Sequence, residues 1–395
     1  MRDKYKKQVA LLIRIMPSVY RIKEFAVHGG TAINLFHKNL PRYSVDIDLT
    51  YIPIQDRTTS LCTINERLLE VKRNVERTSA HAIYPDSLNQ RMMQEEEQAF
   101  LENMKPGLQH TQMLAVRKAM QGDDSDLQQI RESRNQIPSL PEEVSTFYPA
   151  PTICLFSPKK ATNRKRPVLL YLHGGGWCFG SINSCARFCA AVALEADCIV
   201  AALNYRLSPA HPFPTPLEDC QKAVAYLKEH AFKWGGDSTH VSVGGDSAGG
   251  NLALATALSV PGISKVIPIY PVTKLFTEQT PSWIKYAKGY GNDAKLLEAF
   301  NEAYANNQER NPLASVGLCS DEALKALPPA LFISAGHDIL LDQTAALVKR
   351  MQHLDMPVSY RIYPTATHLF ITVPGQPTAF KEAVRDVSLF INGAH

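Results

Sequence analysis

A serine lies at the centre of Gly245-Asp246-Ser247-Ala248-Gly249, between an apolar strand pattern and the helical pattern AGGNLALATALS. A nucleophile on a sharp strand-to-helix turn has a strained backbone, so its neighbours two residues away must be very small. Gly245 and Gly249 meet that requirement. The turn would raise the Ser247 hydroxyl above the sheet and direct the N–H of Ala248 toward developing negative charge. The pattern predicts a nucleophilic serine.

The sequence His173-Gly174-Gly175-Gly176 follows a second apolar stretch, PVLLYL. Three consecutive glycines let backbone N–H groups approach a substrate oxygen with no side chain in the way. A flexible glycine turn without a chemical role is the alternative interpretation. The presence of a nucleophile turn in the same chain favours an oxyanion-binding loop.

A serine needs a base that removes its proton, and the base needs an orienting carboxylate. Asp338 follows the strand pattern ALFISAG, and His368 follows VSYRIYPTAT. The chain order Ser, Asp, His is the one that this kind of α/β sheet uses. Asp342 is a second candidate carboxylate, but Asp338 is favoured because it lies at the carboxyl end of a strand.

The elements that must position these residues alternate between strands and helices from about residue 151. Strands are predicted at 167–173, 198–205, 240–245, 266–272, 330–336 and 358–364. Helices are predicted at 182–196, 215–232, 247–258, 342–353 and 377–392. Apolar strands separated by helices predict a mainly parallel sheet with helices on both faces.

The regions around this catalytic domain, 151–395, have their own patterns. Residues 79–150 are predicted to be a linker and N-terminal cap helices, with a helical stretch at 90–136 and a proline-punctuated connection after it. The stretch 275–312 is long for a connection and rich in aromatic residues, which predicts a helical cap insertion. Trp177, Phe179 and the aromatic residues of 283–304 are predicted to bound the acyl pocket or the cap.

Five motifs, YLHGGGW, NYRLSPAHPFPTPLEDC, VSVGGDSAGGNLA, SAGHDILLDQ and YPTATHLF, together resemble the hormone-sensitive-lipase-like branch of the α/β-hydrolases over about residues 90–395. The resemblance implies the α/β-hydrolase fold with a helical cap. It also implies a carboxylesterase that acts on short-chain, acetyl-type esters without a cofactor. The implied roles are nucleophile for Ser247, base for His368, orienting carboxylate for Asp338, and oxyanion donors for the N–H groups of Gly175, Gly176 and Ala248.

The chain departs from the usual pattern of that branch at four positions. Ile339 replaces a usual Pro, Gln343 a usual Glu, Leu369 a common Gly, and Ala210 a frequent Glu. None of them belongs to the triad. Leu369 is predicted to narrow the space beside His368.

The opening of the chain has a different pattern. HGGTAINLF and LPRYSVDIDL resemble the nucleotidyltransferase toxins of abortive-infection systems over about residues 1–78. On one face of a strand, Asp46 and Asp48 could hold Mg²⁺ bridged to a triphosphate, and Gly29 and Gly30 open a helix whose N–H groups could receive phosphate.

The further carboxylate and the large helical part of that toxin family have no counterpart before the hydrolase pattern begins. The segment is therefore predicted to be truncated and without transferase activity, as a docking element, a fusion remnant, or an artefact of how the reading frame was assembled. A bifunctional protein with metal-dependent nucleotidyltransferase activity in this segment is the alternative.

Charge and cysteine content limit the remaining classes. Lys and Arg outnumber Asp and Glu by 14 to 8 in residues 1–80, which fits either an anionic ligand such as a nucleotide or a solvated helix face. The eight cysteines form no Cys-x-x-Cys pair and no zinc pattern, so no metal is predicted for the hydrolase. Buried reduced thiols indicate a reducing compartment.

The sequence has no pattern typical of a signal peptide or a membrane helix, which predicts the cytoplasm. The predicted partner is a small-molecule ester, with no nucleic acid and no membrane. The identity of the acyl and alcohol groups, the choice of ester or amide, and the choice of monomer or homodimer stay open.

Overall fold

The computed structural model describes residues 25–28, 48–51, 82–83 and 87–393. The chain divides into two compact units, Met1–Ala82 and Ile83–His395. In the first unit, β1 (Phe25–His28) pairs antiparallel with β2 (Asp48–Tyr51). Gly29, Gly30 and Asp46 lie outside the described residues.

A nine-stranded sheet runs through the second unit. Its strands are β3 (Ala82–Ile83), β4 (Val144–Ala150), β5 (Ile153–Pro158), β6 (Arg166–Leu172), β7 (Ile199–Leu203), β8 (Gly236–Asp246), β9 (Val266–Ile269), β10 (Ala330–His337) and β11 (Val358–Thr367). The spatial order is β3-β11-β10-β9-β8-β6-β7-β5-β4. The six strands predicted from the sequence are β6 to β11, and each pairs parallel with its neighbours within that set.

Three strands of this sheet, β3, β4 and β5, are not among the predicted ones. β4 pairs antiparallel with β5, and β5 pairs antiparallel with β7. The interpretation of Val144–Ala150 as part of a connection was wrong. Phe147 and Tyr148 are exposed and only Val144 is buried, so β4 lacks the alternation of a half-buried strand. Pro149 is tolerated there because β4 is an edge strand.

Helices precede the sheet, cover it and form the cap. They are α1 (Ser87–Glu102), α2 (Leu108–Met120), α3 (Ser125–Arg134), α4 (Ile182–Ala196), α5 (Thr215–His230), α6 (Ala248–Ser259), α7 (Pro281–Lys285), α8 (Ala294–Ala305), α9 (Asp321–Leu324), α10 (Leu341–His353) and α11 (Pro377–Ile391). Helices α4 and α11 pack together over one face of the sheet, and α5 and α6 pack together and against β8. α7 and α8 lie within 275–312, the stretch predicted to be a cap insertion, and α8 packs against α2.

β6 shows why the sheet must be covered on both faces. Its last five residues, Val168 to Leu172, are all buried, although their side chains alternate between the two faces. Seven cysteines of the second unit are buried free thiols, as predicted, while Cys62 lies outside the described residues. No described helix is long and apolar enough to cross a membrane.

Candidate active site

Ser247 lies between the last residue of β8 and the first residue of α6. Its backbone has φ 56° and ψ −116°, a conformation that costs energy for any residue with a Cβ. Its N–H donates to the carbonyl oxygen of Ile269 in β9 at 2.8 Å, which helps to hold the strained turn. The turn thus places the hydroxyl beyond the carboxyl end of β8.

The small residues on both sides of the serine are a steric requirement of this turn. A Cβ on Gly245 would lie 2.4 Å from the carbonyl oxygen of Leu172, and a Cβ on Gly249 would lie 1.9 Å from the same atom. Both distances are far inside van der Waals contact. Neither position can therefore carry a side chain unless β6 and α6 move apart.

The structure brings the predicted base and carboxylate to this serine. His368 Nε2 is 2.8 Å from Ser247 Oγ, and His368 Nδ1 is 2.7 Å from Asp338 Oδ2. Asp338 is 1% exposed, and its Oδ1 accepts a hydrogen bond from the N–H of Leu340 at 3.0 Å. The carboxylate therefore has a fixed orientation, and it holds the imidazole with Nε2 toward the serine.

The second candidate carboxylate has a different role. Asp342 Oδ2 accepts a hydrogen bond from the N–H of Ser282 at 2.7 Å, and the N–H of Asp342 donates to Ser282 Oγ at 3.1 Å. These two bonds tie the start of α10 to the short cap helix α7. Asp342 thus anchors the cap, whereas Asp338 is the carboxylate that contacts His368.

The predicted oxyanion donors are free to bind a substrate oxygen. Gly175 and Gly176 have φ of 110° and 60°, which glycine adopts without steric cost. In the described part of the chain, the backbone N–H groups of Gly175, Gly176 and Ala248 donate no hydrogen bond. Ala248 is the first residue of α6, where the helix dipole also favours negative charge.

Asp246 ties this loop to the nucleophile turn, a role that was not predicted. Its Oδ1 accepts hydrogen bonds from Tyr171 Oη at 3.0 Å and from the N–H of Gly174 at 3.1 Å. Burial raises the pKa of Asp246 to about 6. Its place next to the serine in the motif was the one available signal for this role.

His173 also shapes the loop. It is buried, its Nδ1–H donates to the carbonyl of Gly174 at 2.9 Å, and its ring stacks on Tyr205 with centroids 4.3 Å apart. Burial lowers the pKa of His173 to about 4, so the ring is neutral near pH 7. His173 therefore supports the loop as a hydrogen-bonded core residue.

Tyr270 is a site residue that the sequence analysis missed. Its ring lies against His368 with centroids 4.5 Å apart, and it lines the cavity above Ser247. Its hydroxyl is buried without a hydrogen-bond partner in the described part of the chain. The position follows β9 directly, so the carboxyl end of that strand was its one sequence signal.

A cavity of about 330 Å³ opens above the serine between the sheet and the cap. Leu296, Leu297 and Phe300 of α8 form part of its wall. Trp177 and Phe179 are fully buried and support the cap rather than line the cavity. Trp177 stacks on Tyr304 at 4.1 Å, and Phe179 packs edge-on against Phe300 at 5.3 Å.

The departures from the usual motifs have structural counterparts. Gln343 Oε1 accepts hydrogen bonds from the N–H groups of Thr273 and Lys274 at 2.7 and 2.9 Å, so an amide oxygen serves there as acceptor. Leu369 lines the cavity and packs against the cap at Gly291, where an added Cβ would lie 3.0 Å from its side chain. The predicted narrowing beside His368 agrees with this placement.

A mainly parallel sheet that presents a serine on a strand-to-helix turn, with a histidine and an aspartate from later strands, defines the α/β-hydrolase class. Residues 169–372 match the α/β-hydrolase fold family, and the chain belongs to it. Residues 11–119 match the nucleotidyl transferase AbiEii toxin family of type IV toxin–antitoxin systems. That match extends beyond the predicted segment 1–78 into α1 and α2. The described residues contain no cluster of His, Cys, Asp or Glu that could hold a metal ion.

Relatives of the second unit are esterases and lipases. The chain is 32% identical over 241 residues to esterase LipI of Mycobacterium tuberculosis, covering 60% of this chain and 75% of that protein. It is 36% identical over 214 residues to an ethyl acetate hydrolase of Pseudomonas putida, covering 52% of this chain and 66% of the relative. It spans 57% of lipase 2 of Moraxella, at 31% identity over 55% of this chain.

Solved structures with the same fold are also esterases. Carboxyl esterase 2 of Tuber melanosporum superposes with a TM-score of 0.61 at 26% identity, covering 66% of this chain and 89% of that one. A thermostable esterase of Pseudomonas putida superposes with a TM-score of 0.66 at 23% identity, covering 76% and 97%. The α/β fold predicted from the sequence is confirmed.

Proposed function

We propose that this chain is a serine carboxylesterase that hydrolyses short-chain, acetyl-type esters through an acyl-enzyme on Ser247. The esterase relatives and structural neighbours support a carboxylic ester hydrolase. The observation that carries the triad is the pair of contacts made by His368, 2.8 Å to Ser247 Oγ and 2.7 Å to Asp338 Oδ2.

In the proposed cycle, Ser247 Oγ attacks the ester carbonyl carbon while His368 Nε2 accepts its proton. The carbonyl oxygen becomes an oxyanion, which accepts hydrogen bonds from the N–H groups of Gly175, Gly176 and Ala248. The tetrahedral intermediate expels the alcohol, which takes the proton from His368. Water then attacks the acyl-enzyme by the same steps and releases the acid and the free serine. Asp338 stabilises the imidazolium and fixes its orientation throughout.

The size and wall of the cavity support a small acyl group. Its volume of about 330 Å³ is near the lower end of the range for small-molecule pockets. Leu369 occupies space next to the base, where the family commonly has glycine. A relative of this chain hydrolyses ethyl acetate, which agrees with an acetyl-type substrate.

The test is hydrolysis of p-nitrophenyl acetate, butyrate and octanoate by the full chain and by Ser247→Ala. We expect activity that declines from the short to the long ester and that is lost in Ser247→Ala. Ser259→Ala is the matched control, because Ser259 lies at the far end of the same helix and its hydroxyl donates to the carbonyl of Ala255. Absence of activity in the full chain, or equal activity in Ser247→Ala, would contradict the proposal.

The match of residues 11–119 to a nucleotidyltransferase toxin family supports a second candidate, nucleotide transfer by the N-terminal segment. Asp48 begins β2, and Asp46 precedes it by two residues. Transfer of labelled nucleotide to RNA or to the chain itself would support this activity if the double change Asp46→Ala, Asp48→Ala abolished it. The truncated-segment interpretation expects no transfer in either form.

A further inference from the structure

The cavity above Ser247 carries positive charge that ester hydrolysis does not need. Arg134, the last residue of α3, and Arg187, on α4, both line it. Asp246 is the one carboxylate among the described lining residues, and it is held by Tyr171 and Gly174 at the base of the cavity. Neither arginine forms an ion pair with any described residue.

Arg131, one turn earlier on α3, shows what a structural arginine does in this helix. Its Nε donates to the carbonyl of Cys178 and its Nη2 to the carbonyl of Ser208, both at 2.8 Å. The guanidinium of Arg134 makes no hydrogen bond within the described part of the chain. It lies over the Phe179 ring, whose centroid is 5.1 Å from the guanidinium carbon.

A half-buried guanidinium without hydrogen-bond acceptors is a costly arrangement. Arginine has five N–H donors and is always charged in proteins, so partial burial without acceptors costs free energy. Burial lowers the pKa of Arg134, which reflects the same loss of solvation. A ligand group that accepts several hydrogen bonds and carries negative charge would offset this cost.

The position of Arg134 relates it to the reacting atoms. Phe179, which contacts its guanidinium, packs edge-on against Phe300 at 5.3 Å. Phe300 in turn covers Gly176 so closely that a Cβ there would lie 2.2 Å from its ring. Two packed aromatic rings therefore connect Arg134 to the oxyanion loop, and Arg134 and Ser247 face one cavity of small-molecule size.

The cavity wall holds another side-chain donor without an acceptor. Asn292 is 7% exposed, and its Nδ2 donates to no described group. Asn292 and the buried Gln112 line the same cavity as Arg134. A ligand rich in oxygen acceptors would satisfy the N–H groups of Asn292 and Arg134.

From this arrangement we infer that Arg134 is a substrate-binding residue that selects esters carrying a second, anionic group, a carboxylate on either the acyl or the alcohol part. The inference rests on the proposed esterase function and names its substrate class. A carboxylate can accept two parallel hydrogen bonds from the N–H groups of one guanidinium, and the Phe179 ring keeps that guanidinium in place. The ester bond would then lie over Ser247 with the charged end at Arg134.

The test uses pairs of esters that differ by one charge. For the acyl side the pair is p-nitrophenyl butyrate and mono-p-nitrophenyl succinate, where a carboxylate replaces the terminal methyl group. For the alcohol side the pair is phenyl acetate and 3-acetoxybenzoate. The ratio of kcat/KM within each pair is compared between the unchanged chain and Arg134→Gln, so that intrinsic reactivity cancels.

Arg134→Gln should lower kcat/KM for the anionic member of one pair by roughly 10- to 100-fold, the range for a charged hydrogen-bonded contact, mainly through KM. The neutral member should change by less than about two-fold, which also shows that the variant folds. Arg134→Lys should recover part of the loss, because it keeps the charge and loses the bidentate geometry. Arg91→Gln, on the exposed side of α1, is the control and should change neither pair.

Equal effects on the charged and neutral esters, or no effect, would overturn the inference. If the chain hydrolysed none of these esters, the proposed function would fail, and binding would still test Arg134. Monomethyl succinate and 3-acetoxybenzoate titrated calorimetrically into Ser247→Ala, with and without Arg134→Gln, provide that measurement. At least one should bind more weakly in the double variant, and equal binding of both would contradict the assignment.

Discussion

The carboxylate of Asp246 accepts a hydrogen bond from the backbone N–H of Gly174 at 3.1 Å, so the residue before Ser247 holds the loop that leads to Gly175 and Gly176. One side chain thus links the turn of the proposed nucleophile to the loop of the proposed oxyanion donors. Because this side chain is a buried acid, the link also affects how stability depends on pH.

Asp246→Asn should change the pH dependence of stability. The pKa of Asp246 is about 6 in the folded chain and roughly 3.9 in the unfolded chain. Between these values the folded chain keeps a proton that the unfolded chain releases, so Asp246 makes folding less favourable as pH rises from about 4 to about 6. Asparagine keeps an oxygen acceptor without the charge. Urea unfolding at several pH values should show the variant gaining stability relative to the unchanged chain over that window. A difference that is constant with pH would contradict this.

Substitutions of the two candidate carboxylates, Asp338 and Asp342, should have clearly different effects on kcat. Asp338→Asn removes the acceptor that orients His368, and comparable changes in other triads lower kcat by on the order of 10⁴-fold. Asp342→Asn alters a contact with Ser282 at the cap, so kcat should change only a few-fold. Both variants are assayed on p-nitrophenyl acetate, and a larger loss in Asp342→Asn would reverse the assignment.

Gly249→Ala should destabilise the chain more than Gly250→Ala. A Cβ at Gly249 would lie 1.9 Å from the backbone oxygen of Leu172, whereas at Gly250 the nearest atom is 3.0 Å away, on the ring of Pro271. The first clash moves a central strand and should cost roughly 3 kcal/mol or more in the free energy of unfolding. Denaturant unfolding measures both variants, and the reverse ranking would show that the α6 turn can shift.

Leu369→Gly should widen the range of accepted esters. The side chain stands beside His368 and against the cap at Gly291. Its removal leaves room for a longer acyl chain, so the ratio of kcat/KM for octanoate to that for acetate should rise. Leu369→Met keeps a similar volume and should leave the ratio near its original value. An unchanged ratio in Leu369→Gly would mean that other residues limit the acyl length.

The site residues that could be predicted from the sequence are those whose residue type and position at the end of a strand indicate their role. Ser247, Asp338 and His368 each come at the end of a predicted strand, and parallel strands bring their carboxyl ends to one edge. β4 was missed because an edge strand with exposed Phe147 and Tyr148 has no burial pattern to detect.

The roles of other residues depend on contacts between segments that are distant in the sequence, so no local sequence pattern predicts them. Tyr270 meets His368 only once β9 and β11 lie in the same sheet. Arg131 and Arg134 have the same side chain on the same polar helix, and only the tertiary structure separates the anchored arginine from the one without acceptors. Trp177 and Phe179 were predicted to bound the acyl pocket or the cap, and only their packing against α8 shows that they lie at the cap, behind the cavity wall.

Because α2 contributes to the cavity, it limits where the toxin-like part of this chain can be separated from the hydrolase part. Gln109 and Gln112 line the space above Ser247, although they lie inside the region, 11–119, that matches the toxin family. Recombination at residue 119 would therefore discard part of the ester-binding wall along with the toxin-like sequence. A crossover before Ser87 would preserve every described wall residue. For protein engineers, the boundary between the two modules is thus set by cavity architecture and not by the end of sequence similarity.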